Sequence, residues 1–158
     1  MEIRELRRED VEPLKRILKA TNVFRDEEVI VAVELMEATL GQRDDYVQRT
    51  IVDGENVVQG YYCIGLTPMT QSTFDLYWIA VNPEYHGKGL GRQLLLHSED
   101  LIRSLKGTLI VVETSSLPKY EPTRKFYVRN QYLETARIRD YYAPGDDLMI
   151  YTKHLQEH

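Results

Sequence analysis

The residues between positions 81 and 96 read VNPEYHGKGLGRQLLL, in which the end of a strand, a glycine-rich turn and a helix follow one another directly. The residues before them are rich in β-branched and aromatic side chains, and Pro83 cannot continue the ladder of a central strand. Gly87, Gly89 and Gly91 allow backbone N–H groups to approach an anion without interference from Cβ atoms. The following helix adds unpaired N–H groups and the positive end of its dipole. This segment is therefore predicted to bind phosphate.

Two common glycine-rich phosphate loops do not fit the spacing. A Walker loop reads G-x-x-x-x-G-K-S/T, whereas here Asn82 stands at the first glycine and Gly89 at the Ser or Thr. A dinucleotide fingerprint reads G-x-G-x-x-G, whereas here Arg92 stands at the last glycine. Both nucleotide loops are therefore rejected.

The segment resembles instead the Gln/Arg-x-x-Gly-x-Gly/Ala loop of the GCN5-related N-acetyltransferase (GNAT) family, with His86 in the place of the Gln or Arg. In that family the loop binds the pyrophosphate of acetyl-CoA, mostly through backbone N–H groups, and the end of the preceding strand holds the pantetheine arm. The resemblance implies acetyl-CoA as co-substrate. It also implies the cofactor-binding residues Ile79, Ala80, Val81, His86, Gly87, Lys88, Gly89, Leu90, Gly91 and Arg92.

Hydrophobic periodicity and turn residues predict an alternating order of elements along the chain. Strands are predicted at residues 3–6, 46–52, 57–66, 73–81, 109–114, 132–141 and 148–154, and helices at 9–20, 26–40, 90–106 and 122–129. Gly41 is expected to end a helix, and Asp53-Gly54 to supply positive φ in a hairpin turn. This order resembles the GNAT order over the whole chain. It implies one α/β (α+β) domain over residues 1–158, with a single mixed, mostly antiparallel sheet, a central splay and helices on both faces.

Three candidate catalytic residues meet the chemical needs that acetyl transfer to an amine imposes. Tyr127 stands where the family carries its acid tyrosine, and a phenol is protonated at neutral pH. Glu113 ends a predicted strand, as does the water-assisted base of N-terminal acetyltransferases in the family. Asp75 lies where histone-type members carry a longer Glu, so a water relay is expected. Either carboxylate could instead be a solvated charge or the partner of an arginine.

The helix that carries Tyr127 departs from the family pattern Asn-x-x-Ala-x-x-Phe/Leu-Tyr-x-x-x-Gly. Tyr120, Thr123 and Gln131 replace the Asn, Ala and Gly. The loss of the Asn removes one pantetheine contact that the family uses. Asn130 is expected to adopt the left-handed conformation that the missing glycine would take.

The acceptor stays open between a small amine, an amino acid and a protein N-terminus. Residues 139–151 resemble the final hairpin of ribosomal-protein N-terminal acetyltransferases, where aromatic side chains border the peptide cleft. These tyrosines could instead be core or dimer contacts. The resemblance also allows a homodimer. The alternative function is an acyl-CoA-binding or regulatory module without catalysis.

Composition excludes several other classes of protein. A net charge of −5 and a pI near 5.4 argue against nucleic-acid binding and favour a cationic partner. The single Cys63 permits no internal disulfide and is expected to be buried, and the four histidines lack metal-ligand spacing, so no metal is implied. The charged start and the lack of a long apolar run indicate no signal peptide and no membrane span. A cytoplasmic location is therefore expected.

Overall fold

The chain folds around a seven-stranded mixed sheet with the order β1-β2-β3-β4-β5-β7-β6 in a computed structural model that describes residues 1–42 and 45–156. The strands are β1 (Glu2–Glu5), β2 (Tyr46–Val52), β3 (Val58–Leu66), β4 (Thr73–Val81), β5 (Leu109–Ser115), β6 (Leu133–Ala143) and β7 (Asp146–His154). The helices are α1 (Val11–Ala20), α2 (Asp26–Leu40), α3 (Leu90–Ser104) and α4 (Glu121–Arg129). Short 3-10 turns precede α1, α3 and α4. Among these strands, only β4 and β5 pair in parallel.

The helices cover both faces of the sheet because each contributes an apolar stripe to one of two cores. Side chains of α3 and α4, including Leu94, Ile102 and Tyr127, form one core with β3, β5 and β7. Side chains of α1 and α2, including Leu14 and Met36, form the other. Cys63 is buried in this second core, as predicted. The sheet therefore separates an α1–α2 side from an α3–α4 side.

The sheet opens in its middle because β4 and β5 pair over only three positions, from Thr73–Leu109 to Asp75–Val111. Beyond Asp75, β4 follows β3 while β5 follows β7. A bulge in the β3–β4 pairing coincides with this point, because Ile64 pairs with Leu76 and Cys63 with Trp78. A bulge bends its strand and increases its twist, which turns the end of β4 away from β5. The predicted central splay is confirmed.

Three details of the turns and helix ends were predicted wrongly. Asn56, with φ of 63°, takes the left-handed conformation in the β2–β3 turn instead of Gly54. Asp53 Oδ1 accepts hydrogen bonds from the Glu55 and Val57 N–H groups, and these bonds place the left-handed residue two positions after Gly54. Gln131, with φ of 73°, does so after α4 instead of Asn130. The leucine spacing of the helix predicted at residues 90–106 places Leu105 on its inward face, but α3 ends at Ser104 and Leu105 is exposed.

The ends of several elements also differ from the prediction. The helix expected at residues 9–20 begins as a 3-10 turn, and α3 ends at Ser104 rather than at residue 106. Gly41 does follow the last residue of α2, but its φ of −81° is right-handed. The left-handed residue after this helix is Gln42, with φ of 56°. Each difference lies within one or two residues of a terminus, where local signals are weakest.

Candidate functional site

A cavity of ≈ 430 Å³ fills the gap between β4 and β5. Its lining brings together most of the residues predicted from the sequence: Asp75, Ile79, Ala80, Val81, His86, Glu113 and Tyr127. His86 is the last residue of the glycine-rich loop that lines the cavity. The remaining predicted cofactor-binding residues follow it in the chain and lie outside the lining: Gly87, Lys88, Gly89, Leu90, Gly91 and Arg92. The splay therefore joins the predicted catalytic residues to the entrance of the glycine-rich loop.

The glycine-rich loop has the backbone geometry of an anion site. Gly87 and Gly89 have φ of 80° and 81°, a conformation that side chains with Cβ rarely adopt. The first α-helical bond of α3 runs from Gln93 N–H to Gly89 O, so the N–H groups of residues 90–92 have no partner within the helix. The side chain of Leu90 lies in the core, which leaves only its backbone N–H for a ligand. Lys88 and Arg92 are exposed cations beside these donors.

The departure at His86 has a specific consequence at the end of β4. Its Nε2 lies 3.1 Å from Val81 O, and since a carbonyl can only accept, the imidazole is the donor. Asn82 stabilises the same junction, because its Oδ1 accepts the Glu84 N–H and its Nδ2 donates to Gln59. The imidazole therefore joins the glycine-rich loop to the strand before it.

We expect His86→Gln to keep the affinity for acetyl-CoA within about twofold, because an amide can donate to Val81 O in place of the imidazole. His86→Ala removes this donor and should weaken binding by about fivefold, the worth of one ordinary hydrogen bond. Titration calorimetry with acetyl-CoA measures both. A large loss in the Gln variant alone would show that the imidazole has another role.

Tyr127 reaches the cavity from the α3–α4 side of the sheet. It is only 3% exposed, and its ring makes edge-on contacts with Phe126 and Tyr132 at centroid distances of 5.4 Å each. Burial raises the pKa of the Tyr127 phenol above its ordinary value. The phenol is therefore a protonated donor at neutral pH, with its ring orientation fixed by packing.

A buried polar network lies behind the Tyr127 ring and holds Tyr132. The Tyr132 hydroxyl donates to Glu99 Oε2 at 2.9 Å, and Lys153 Nζ donates to Glu99 Oε1 at 3.0 Å and to Asn130 O at 3.1 Å. Glu99 is only 1% exposed, so its charge depends on these two donors. The network therefore fixes the ring on which Tyr127 packs.

Removal of the carboxylate in Glu99→Ala should lower the free energy of unfolding by about 3 kcal/mol, because Lys153 and the Tyr132 hydroxyl lose their buried partner. Urea denaturation measures the change. Glu121→Ala is the matched control, since its ion pair with Lys125 is exposed and should be worth about 0.5 kcal/mol or less. Equal losses in the two variants would contradict the role of burial.

The two carboxylates reach the cavity from the α1–α2 side. Asp75 lies between Phe74 and Leu76 on β4, and the side chains of both neighbours lie in the α3–α4 core. Glu113 directly follows Val112 on β5, and the Val112 side chain lies in the same core. Because side chains alternate along a strand, both carboxylates face away from Tyr127. The candidate acid and the candidate bases thus flank the gap from opposite faces of the sheet.

The environments of the two carboxylates differ. Asp75 Oδ2 accepts hydrogen bonds from the Thr67 hydroxyl at 2.8 Å and the Tyr77 hydroxyl at 3.2 Å. Within residues 1–42 and 45–156, no hydrogen bond to the Glu113 carboxylate is found. Glu113 is an exposed residue, but partial desolvation of its carboxylate, and then the charge of Asp75, raise its pKa. Glu113 is therefore the carboxylate with a raised proton affinity and an unoccupied acceptor.

Several lining residues were not singled out as site residues from the sequence. Phe24 and Glu28 come from the turn between α1 and α2 and from the start of α2, and Tyr142 and Asp146 come from the β6–β7 hairpin. Tyr120, which replaces the Asn of the family pattern, also lines the cavity. The hairpin tyrosines are divided in role, because Tyr142 lines the cavity while Tyr141 is exposed. These contacts are long-range, and no local pattern marks them.

The fold around this splayed sheet is shared with known acetyltransferases. A family model of the acetyltransferase (GNAT) domain matches residues 44–133. The crystal structure of an acetyltransferase assigned to the GNAT family from Desulfovibrio desulfuricans is 36% identical, with a TM-score of 0.91, and the match covers 97% of this chain and 98% of that one. The chain belongs to the GNAT family of acetyltransferases, and the predicted fold is confirmed.

Two more distant structures share the fold. The ribosomal-protein-S18-alanine N-acetyltransferase from Escherichia coli is 17% identical, with a TM-score of 0.76 and coverage of 99% of this chain and 95% of that one. An aminoglycoside 6'-N-acetyltransferase complexed with coenzyme A is 16% identical, with a TM-score of 0.78 and coverage of 100% and 99%. No curated protein matches the chain significantly.

In the residues that the structure describes, the acidic, histidine and cysteine side chains do not cluster as metal ligands do. Across the part of the chain that the structure describes, no group of three or more of them could hold a metal ion. No helix within the same residues is long and apolar enough to cross a membrane.

Proposed function

We propose that this chain is an acetyl-CoA-dependent N-acetyltransferase that moves the acetyl group to a primary amine by direct attack in a ternary complex. The observation that carries the proposal is the placement of Tyr127 and the two carboxylates on opposite faces of one gap in the sheet. A module that only bound acyl-CoA would need the loop and the splay but not this arrangement. Acetyl-CoA itself is the co-substrate, and the coenzyme A complex of the aminoglycoside acetyltransferase supports that choice.

Different segments of the chain bind acetyl-CoA and the acceptor amine. The N–H groups of Gly87 and of residues 89–92 bind the pyrophosphate, whereas the Lys88 N–H is already donated to Tyr85 O. The Lys88 and Arg92 side chains add positive charge, and the end of β4 at Ile79, Ala80 and Val81 holds the pantetheine arm. This places the thioester in the gap. The amine then arrives from the α1–α2 side, where Glu113 and Asp75 attract its ammonium form.

Glu113 takes the proton from the ammonium group, directly or through a water molecule, and so makes the nucleophile neutral. The amine nitrogen attacks the thioester carbon and loses its second proton to solvent water, and the C–S bond breaks as the tetrahedral intermediate collapses. Tyr127 donates its proton to the departing thiolate from the α3–α4 side and is reprotonated from solvent. The products are the N-acetyl amine and free coenzyme A.

The experiment that tests this function measures thiol release from acetyl-CoA across a panel of small amines, amino acids and peptide N-termini. We expect release to depend on at least one acceptor. Acetyl-CoA binding without release above background for any acceptor would support the acyl-CoA-binding module instead.

A further inference from the structure

The acceptor side of the cavity is bridged by a hydrogen bond from Tyr120. Its hydroxyl donates to Val23 O at 3.0 Å, and it lies 3.5 Å from Glu28 Oε1. Val23 belongs to the turn between α1 and α2, whereas Tyr120 belongs to the connection between β5 and α4, and both line the cavity. The bond therefore joins two walls. Burial and the charge of Glu28 raise the pKa of Tyr120 to about 12, so its hydroxyl keeps the proton that it donates.

The connection that carries Tyr120 is itself held firmly. Arg124 Nη1 donates to Ser115 O at 2.8 Å and to Leu117 O at 2.9 Å. The Leu117 N–H donates to Ser115 Oγ at 3.1 Å, and the Tyr120 N–H donates to Leu117 O at 3.0 Å. Tyr120 is thus a fixed point to which the α1–α2 turn is tied.

A second set of bonds ties the β6–β7 hairpin to the same connection. Ser116 and Asp147 exchange two bonds, from Ser116 N–H to Asp147 O at 3.0 Å and from Asp147 N–H to Ser116 Oγ at 2.8 Å. The Ser115 hydroxyl also donates to the Asp146 carboxylate. Since Tyr142 and Asp146 line the cavity, this hairpin cannot swing away from it without breaking these bonds.

A peptide acceptor needs an open path along which the rest of its chain leaves the site. Here the α1–α2 turn and the β6–β7 hairpin, which border the acceptor side, are both tied to the connection between them. A small amine needs no exit path and can occupy the space beside Glu113. The Asn of the family pattern is shorter than Tyr120 and offers no phenol to span the two walls.

We propose that the acceptor is a small primary amine, and that the Tyr120–Val23 hydrogen bond is the structural device that excludes peptide N-termini. This inference rests on the proposed acetyltransferase function and narrows its acceptor. Tyr120 acts as a specificity-determining residue, since it limits the acceptor without taking a proton from it. Tyr120→Phe keeps the ring but removes the bond, which frees the α1–α2 turn.

The test compares acceptors that share one nucleophile and differ in size. Alanine amide, serine amide and lysine amide are each paired with a pentapeptide amide that begins with the same residue, and 1,4-diaminobutane and 2-phenylethylamine extend the small set. In the wild-type enzyme we expect kcat/KM for the best small amine to exceed that for every peptide by about tenfold or more. In Tyr120→Phe we expect kcat/KM for the peptides to rise, so that the ratio of kcat/KM for the best small amine to kcat/KM for the peptides falls by about fivefold.

The ratio of the two kcat/KM values is insensitive to changes in cofactor binding, because both acceptors meet the same acetyl-CoA complex. Tyr141→Phe is the matched control because Tyr141 is an exposed tyrosine outside the cavity lining, and its ratio should equal that of the wild type. Amide hydrogen exchange of residues 21–25 should rise in Tyr120→Phe while the melting temperature stays near that of the wild type. A local release of the α1–α2 turn is thereby distinguished from a general loss of stability.

Two results would overturn the inference while leaving the proposed function intact. One is a wild-type enzyme that acetylates a peptide as well as its best small amine. The other is an unchanged ratio in Tyr120→Phe. Failure to acetylate any acceptor of either size would overturn the proposed function together with this inference.

Discussion

Tyr127→Phe should lower kcat for acetyl transfer by about 100-fold or more, because the departing thiolate loses its proton donor. The dissociation constant for acetyl-CoA should change by less than about threefold, since Phe retains the ring that packs between Phe126 and Tyr132. A loss confined to turnover is expected of a group that acts in the transition state. Steady-state kinetics by thiol release and equilibrium binding of acetyl-CoA measure the two quantities separately.

Tyr141→Phe serves as the control for Tyr127→Phe, because it removes the same hydroxyl from an exposed position and should leave kcat unchanged. The melting temperature of the Tyr127 variant should stay near that of the wild type. If turnover in Tyr127→Phe stayed within twofold of the wild type, Tyr127 would be a packing residue and the thiolate would leave without its help.

The parts of the fold that the sequence predicted well are those with local signals. The strand-turn-helix of residues 81–92 is one continuous pattern, so the positions of Gly87 and Gly89 and the start of α3 follow from it. The periodic apolar residues of α2, together with Gly41 after them, likewise predicted both of its ends. Where two local signals competed, as for Gly54 and Asn56, side-chain hydrogen bonds of Asp53 decided the turn.

The parts that could not be predicted depend on contacts between distant segments. Tyr120 meets Val23 only because the fold brings the α1–α2 turn over the β5–α4 connection. The pattern named Tyr127 and Glu113 as candidates, but their approach from opposite faces depends on how β5 and α4 pack. The bulge that bends β4 away from β5 lies at residues 76–78, opposite Cys63 and Ile64. Because residues 76–78 include no glycine or proline, the sequence does not predict this bulge.

Glu113→Gln should lower kcat/KM for the acceptor amine by about 100-fold, because a Gln side chain cannot take the proton from the ammonium group. In the wild type a base must be deprotonated to act, so activity should fall as the pH drops through the pKa of Glu113. Since burial and the charge of Asp75 raise that pKa, the fall should occur at a higher pH than for an ordinary glutamate. This acidic limb should be absent from the pH profile of Glu113→Gln.

Asp75→Asn separates the two carboxylates. If Glu113 is the base, loss of the Asp75 charge removes one cause of the raised Glu113 pKa, and the acidic limb should move to lower pH while much of the activity remains. The limb should move only part of the way, because burial is the larger cause. The amide oxygen of the introduced side chain can still accept from the Thr67 and Tyr77 hydroxyls, so the strand should keep its position. The assignments must be exchanged if Asp75→Asn abolishes turnover and Glu113→Gln retains both turnover and the limb, because Asp75 would then be the group that removes the proton.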